Sequence, residues 1–191
     1  MANIDKAFGL RPIGNLSATG AQKQYGYEIA DNQAGTIFQG DLVALSAGFI
    51  TRFLPATHTA AVGVFNGCNY IDPTTGKPTF KNFYPGSVNI TTGKIVADVI
   101  DDPSQLFLIQ CDASIAAADI GKNADVIGTG GSTTTGVSTM ELNSSTLAVT
   151  AALNLKTVGL YNVPSNEIGT NAVVVVKINE HVYGSAGVAG Q

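Results

Sequence analysis

The sequence has little charge. Only 13% of its 191 residues are Asp, Glu, Lys or Arg, against about 25% in an average globular domain. Because net charge helps to keep proteins apart in solution, a surface this poor in charge favours association with other subunits. The ten Lys and Arg residues are scattered and the formal net charge is −4. This argues against nucleic acid as a partner, since affinity for phosphates comes from many cations.

Long apolar runs are also missing. No stretch approaches the roughly 18 apolar residues that a membrane-spanning helix needs. Residues 1–6 lack the apolar segment of a secretory signal. We therefore expect a soluble protein, made in a bacterial cytoplasm, that has no membrane partner.

Cysteine and histidine are scarce. Cys68 and Cys111 are the only cysteines, and they either form one disulfide or remain as two buried thiols. Two thiols suit a cytoplasmic protein better. His58 and His181 lie beside turns, and we predict that both are solvated loop residues. Zinc needs further Cys or His at ligand spacing, so no metal or cofactor is expected.

Catalytic motifs are absent as well. The pentapeptide Gly-x-Ser-x-Gly of the hydrolase nucleophile turn does not occur. Residues 35–40 have the glycine spacing of a phosphate loop, but residues 41–42 are Asp and Leu where Lys and Ser or Thr are required. The closest carboxylates, within residues 98–102, lack a calcium-loop pattern and are interpreted as a solvated turn. These observations predict that the chain is not an enzyme.

What the sequence does contain is glycine, 22 residues of it, between short segments with strand periodicity. Tyr25, Tyr27 and Ile29 alternate with polar or small residues, as in a half-buried strand. Residues 105–110 are almost continuously apolar, which indicates a central strand covered on both faces. Further strands are predicted over residues 42–45, 49–54, 60–65, 87–90, 94–100, 158–161 and 173–178.

The pattern as a whole predicts an all-β fold, a single β-barrel or β-sandwich domain with at most one short helix. That helix is expected over residues 115–120, while residues 141–155 fit either a strand or a helix. Residues 1–23 are predicted to be an extended N-terminal arm, 24–183 the β-rich core domain and 184–191 a flexible tail. Residues 128–136 are predicted to be a flexible linker because they are Gly, Ser and Thr.

Several segments resemble a family of small structural proteins of tailed bacteriophages, the capsid decoration or cement proteins. The segments that carry the resemblance are residues 1–3, 7–12, 37–43, 63–70, 80–85, 101–103, 107–110, 118–123, 163–166 and 179–181. The resemblance implies a protein on the outer capsid surface of the virion that clamps neighbouring major capsid proteins. It also implies a homo-oligomer, with a trimer as the expected form.

These observations give a specific hypothesis for the N-terminal arm. Phe8, Leu10, Arg11 and Pro12 are predicted to contact the capsid, and deletion of residues 2–14 is expected to leave a folded domain that no longer binds. Two alternatives stay open at this point. One is another virion component, such as a tail or fibre-associated protein, and the other is a carbohydrate-binding β-module that uses its tyrosines and phenylalanines.

Overall fold

The computed structural model describes residues 3–17, 24–128 and 130–184, and this part of the chain is almost entirely β-structure. The all-β prediction is therefore confirmed. The strands are β1 (Arg11–Asn15), β2 (Gln24–Ile29), β3 (Leu42–Ser46), β4 (Phe49–Arg52), β5 (Gly63–Ile71), β6 (Pro78–Lys81), β7 (Ile95–Ile100), β8 (Gln105–Gln110), β9 (Asn123–Ala124), β10 (Val126–Ile127), β11 (Glu141–Leu142), β12 (Leu155–Leu160) and β13 (Val173–Ile178). No helix in these ranges has the length and apolar character needed to cross a bilayer.

The strands form three antiparallel sheets. A five-stranded sheet has the order β1-β8-β13-β12-β9, and β10 and β11 form a small pair. The third sheet has the order β2-β7-β5-β3-β4, with β6 added to β5. Its end strands β2 and β4 contact each other, so this sheet curls around its own apolar face.

Two hydrophobic cores hold the sheets together. The first lies under the five-stranded sheet, where Phe107 of β8 and Val174 of β13 meet Leu42 of β3. The second lies inside the curled sheet and contains Val43 and Phe65. Because successive side chains of a strand point to opposite faces, β3 gives Leu42 to one core and Val43 to the other. It is therefore covered on both sides.

Several predicted elements need correction. The strands predicted over residues 42–45 and 49–54 correspond to β3 and β4, which pair as a hairpin, but residues 87–90 do not form a strand. Gly86 and Ser87 both have positive φ angles, of 82° and 51°, which a ladder of extended residues cannot accommodate. The strand β7 pairs with β2 and β5 instead.

The helix expected over residues 115–120 is a single 3₁₀ turn, Ala117–Asp119, in which the Asp119 carboxylate accepts the backbone N–H of Ala116 at 2.8 Å. A second 3₁₀ turn, Ser144–Thr146, lies in the segment for which strand and helix were both open. Each of these two segments therefore contains one 3₁₀ turn and no longer helix.

The N-terminal segment is not separate from the core domain. Residues 11–15 form β1, which pairs with β8 at the edge of the five-stranded sheet. Leu10 is only 2% exposed and belongs to the first core. Deletion of residues 2–14 would therefore remove a core side chain and an edge strand, and it does not isolate the function of an arm. Residues 18–23 of the predicted arm and 185–191 of the predicted tail lie outside the described residues.

The predicted linker at residues 128–136 is packed against the curled sheet, next to β3 and β6. The side chain of Asn82 donates to the Thr135 carbonyl at 2.7 Å, and the backbone N–H of Gln39 donates to the Gly136 carbonyl at 2.9 Å. The Ser138 hydroxyl, just beyond the loop, donates to the buried carboxylate of Asp41. The small side chains of this segment allow it to pack closely. The linker prediction is therefore wrong for the described part of the loop.

Candidate assembly surface

Part of the outer face of the five-stranded sheet, next to β1 and the start of β13, is apolar, while Lys156 and Lys177 pair at its other end. Phe107 and Ile109 of β8 point into the first core, so Leu106 and Leu108 point away from it. On β13 the same alternation places Val173 and Val175 on the outer face, and Val175 lies opposite Leu108 in the ladder. A sheet that faces solvent on one side normally carries polar residues there. The apolar part of this face is therefore a candidate contact surface.

A groove of about 490 Å³ runs along this face between β1 and the turn that connects β12 to β13. Its apolar lining residues are Ile4, Phe8, Ile13, Leu108, Tyr161, Val163 and Val173. Asparagine side chains, Ser165 and the guanidinium of Arg11 line the rest. Grooves of this size and lining bind apolar groups, while the few polar atoms fix their orientation.

Hydrogen bonds from three side chains hold the walls of the groove in place. Asn166 donates to the carbonyls of Tyr161 and Val173 at 2.8 and 2.7 Å and accepts from the Val173 N–H at 2.9 Å. Asn3 bonds the backbone of Glu167 in both directions, at 2.8 and 3.0 Å. Gln110 donates to the Ile4 carbonyl at 2.7 Å and accepts from the Lys6 N–H at 2.8 Å. Because these hydrogen bonds order the walls before a partner arrives, less conformational entropy is lost on binding.

The four residues predicted to contact a capsid all border one small cavity, and two of them also line the groove. Phe8 and Arg11 line the groove, and the guanidinium of Arg11 lies 4.9 Å from the centre of the Phe8 ring. Leu10 is buried in the first core, so the prediction that it contacts a partner is wrong. Pro12 pairs with Phe107 in the ladder and is half-buried. The small cavity that all four residues border has a volume of about 130 Å³ and also meets Phe65.

Sequence reasoning missed most of the apolar lining. Tyr161 and Val173 were not expected at a contact surface, whereas Ile13, which is 44% exposed, belongs to the arm that was predicted to dock on a partner. One signal was present in the four consecutive valines at residues 173–176, because such a run leaves no polar face on the strand. The position of Tyr161 in the opposite wall had no such signal, because it depends on how the chain turns between β12 and β13.

Two other sequence predictions concern the cores. Cys68 and Cys111 are free and buried, in different cores, and burial raises the pKa of each thiol to about 12. The preference for two free thiols is confirmed.

His181, expected in solvent, is only 5% exposed, because its backbone pairs with Ala61. Asp101 is also buried and accepts the Tyr27 hydroxyl at 2.8 Å, so the solvated-turn interpretation is wrong for this residue.

The burial of His181 predicts a loss of stability in acid. Desolvation lowers the pKa of His181, and Asp101 and Asp102 offset this effect in part. The unfolded chain then binds a proton more readily than the folded chain, so the histidine destabilises the fold as the pH falls below about 6.5. When the pH is lowered from about 7.5 to about 5.5, the melting temperature of the wild type should fall relative to that of a His181→Asn variant. A difference that is flat or grows over this range would contradict the prediction.

The surface can hold an apolar partner group, and its lining consists of apolar, amide and hydroxyl groups with one guanidinium. No family model, curated protein or solved structure matches the chain.

Proposed function

We propose that the chain is a structural virion protein that decorates a bacteriophage capsid and stabilises it by bridging neighbouring major capsid proteins. It acts as a homo-oligomer, with a trimer as the expected form, on the outer surface of the capsid, and it is not an enzyme. The observation that carries the proposal is the rigid apolar groove on the outer face of the five-stranded sheet. The resemblance of the sequence to capsid decoration proteins gives the partner.

The groove supports this function because its energetics suit a lattice. An apolar segment that fills it gains about 25 cal/mol for each Å² removed from water. A groove of this size gives modest affinity for one subunit. Decoration of a shell does not require high single-site affinity, because several linked contacts on an oligomer raise the overall affinity without new contacts. Low surface charge also removes a source of repulsion between closely spaced copies.

The direct test is an Ile13→Asp variant. Ile13 is 44% exposed and lines the groove, so the substitution adds no charge to a core. It does force a carboxylate into any contact that covers the groove, where an unpaired charge is costly. We expect at least about tenfold weaker co-sedimentation with undecorated heads of the phage that encodes the chain, with an unchanged melting temperature.

The matched control is Ile127→Asp. Ile127 is 42% exposed and lies on β10, outside the five-stranded sheet. The substitution therefore makes the same chemical change at nearly the same exposure, and it should leave binding to heads unaltered. Equal loss in both variants, or full binding by Ile13→Asp, would reject the groove as the contact. Failure of the wild type to bind heads would reject the function.

A further inference from the structure

A second surface lies on the other sheet, away from the groove. Phe80 of β6 pairs with Asn69 of β5, Asn69 pairs with Val96 of β7, and Val96 pairs with Glu28 of β2. Cross-strand partners share a face, so these four side chains form one row across the outside of the curled sheet. An open groove of about 510 Å³ crosses this row between β6 and the start of β7.

Phe80 is the unusual member of the row. Its side chain is 59% exposed, yet the neighbouring Gly67 is buried. A Cβ at Gly67 would lie 2.7 Å from atoms Cε2 and Cζ of the ring, so the ring covers the backbone of Gly67. Gly67 also has a φ of 148°, which disfavours any other residue. The glycine therefore lets one face of the ring rest on the sheet and leaves the other face open to solvent.

Paired polar groups lie along the same row as this ring. The side-chain amide of Asn69 donates to the Asp98 carboxylate at 3.0 Å, and the ammonium of Lys94 lies 2.6 Å from the Glu28 carboxylate. Each pair fixes the direction of its remaining donors and acceptors. Asn69 and Lys94 line the groove together with Phe80. An apolar platform and oriented hydrogen-bonding groups therefore lie side by side.

We propose that this surface binds a neutral saccharide, with the apolar face of a pyranose ring stacked on Phe80. The electron-rich face of an aromatic ring attracts polarised C–H groups, and a sugar presents such groups on one face and hydroxyls at its rim. The hydroxyls bond to the Asn69–Asp98 pair and to Lys94. A purely apolar partner would leave the remaining donors and acceptors of these paired groups without hydrogen bonds and at a cost, which favours the sugar.

The aromatic residues considered from the sequence do not offer such a platform. Tyr84 is buried, Phe83 stacks on Phe38 with ring centres 5.9 Å apart, and the hydroxyl of Tyr27 is bonded to Asp101. Tyr25 is 60% exposed, but it packs edge-on against Tyr27. Tyr25 therefore serves as a control, because it matches Phe80 in exposure without lying in the groove.

The test measures binding of lactose, maltotriose and chitotriose to the full chain by saturation-transfer difference NMR and isothermal titration calorimetry. We expect at least one of these sugars to bind, and a Phe80→Ala variant to bind it at least about tenfold more weakly. A Phe80→Tyr variant should retain binding, and Tyr25→Ala should match the wild type.

The proposal is overturned if none of the three sugars binds, if Phe80→Ala binds as well as the wild type, or if Tyr25→Ala loses as much affinity as Phe80→Ala. It does not depend on the capsid function. Ile13→Asp should retain sugar binding and Phe80→Ala should retain binding to heads, so each proposal fails on its own measurement.

Discussion

Replacement of Gly63 by alanine is expected to abolish folding. Gly63 is buried in β5, and a Cβ there would overlap the carbonyl oxygen of Ile100 and lie 2.9 Å from Cγ1 of Val99. Ile100 cannot give way easily, because it pairs with Val64 on one side and with Gln24 on the other. Relief of the clash therefore requires β7 to move away from both neighbouring strands.

The expected cost exceeds about 4 kcal/mol, a value reached by few single substitutions. Since domains are stable by only about 5–15 kcal/mol, the Gly63→Ala protein should be found mostly in the insoluble fraction, with no cooperative thermal transition by circular dichroism. The control is Gly159→Ala in β12, where an added Cβ meets nothing within 4 Å. That variant should melt close to the wild type. Cooperative unfolding of Gly63→Ala near the wild-type temperature would contradict the packing of β5 against β7.

Asp41 gives the second large effect, which depends on pH. Its carboxylate is fully buried and accepts the Phe38 N–H at 2.9 Å and the Ser138 hydroxyl at 2.5 Å. Burial raises the pKa of Asp41 to about 6, although these two hydrogen bonds and the positive charge of Arg52 act in the opposite direction. Between about pH 4 and about pH 6 the folded chain therefore holds a proton that the unfolded chain releases.

This difference makes Asp41 stabilising in acid and less so at neutral pH. The stabilisation is complete below the unfolded pKa and is lost as the pH rises through about 6. An Asp41→Asn variant stays neutral throughout. Its amide oxygen replaces the acceptor for Phe38, and its NH₂ group donates to Ser138. As the pH falls from about 7 to about 4, the wild type should gain up to about 3 kcal/mol of unfolding free energy relative to this variant.

Urea denaturation at intervals across this pH range measures the difference directly. Asp72→Asn is the opposing control. Asp72 accepts the backbone N–H groups of Thr75 and Thr74, which lower the pKa of Asp72. The wild type should therefore lose stability relative to that variant as the pH falls. The burial of Asp41 does not control its pKa if the stability difference between the wild type and Asp41→Asn is independent of pH. The same conclusion follows if that difference changes with pH in the same direction as the difference between the wild type and Asp72→Asn.

The local sequence pattern was sufficient to predict the strands that contribute most side chains to the cores. The apolar run at residues 105–110 and the valines at 173–176 predict β8 and β13 because each strand needs apolar residues on the faces it covers. The turn at residues 86–87 escaped prediction. Ser87 adopts a positive φ of 51°. Residues other than glycine rarely adopt this conformation, so the sequence around Ser87 does not indicate it.

The N-terminal segment shows why burial was harder to predict than strand position. Gly9, Leu10 and Pro12 look like an extended arm because glycine and proline interrupt any local period. Gly9 and Leu10 are nevertheless buried, because Gly9 meets the Gly40 carbonyl and Ser138, where a Cβ would lie 2.7 Å from both. These contacts join residues about 30 and 130 positions apart, and no local window contains both sides of such a contact.

Composition and periodicity were enough to establish the class of this protein. Alternating short strands and frequent turns specify an all-β chain, because these properties are carried by each segment on its own. The two surfaces that matter most could not be obtained in this way. The groove needs β1, β8 and the turn before β13 to meet, and the platform needs Phe80 to lie on Gly67. Both depend on which strands become neighbours, and that is settled by the packing of the whole chain.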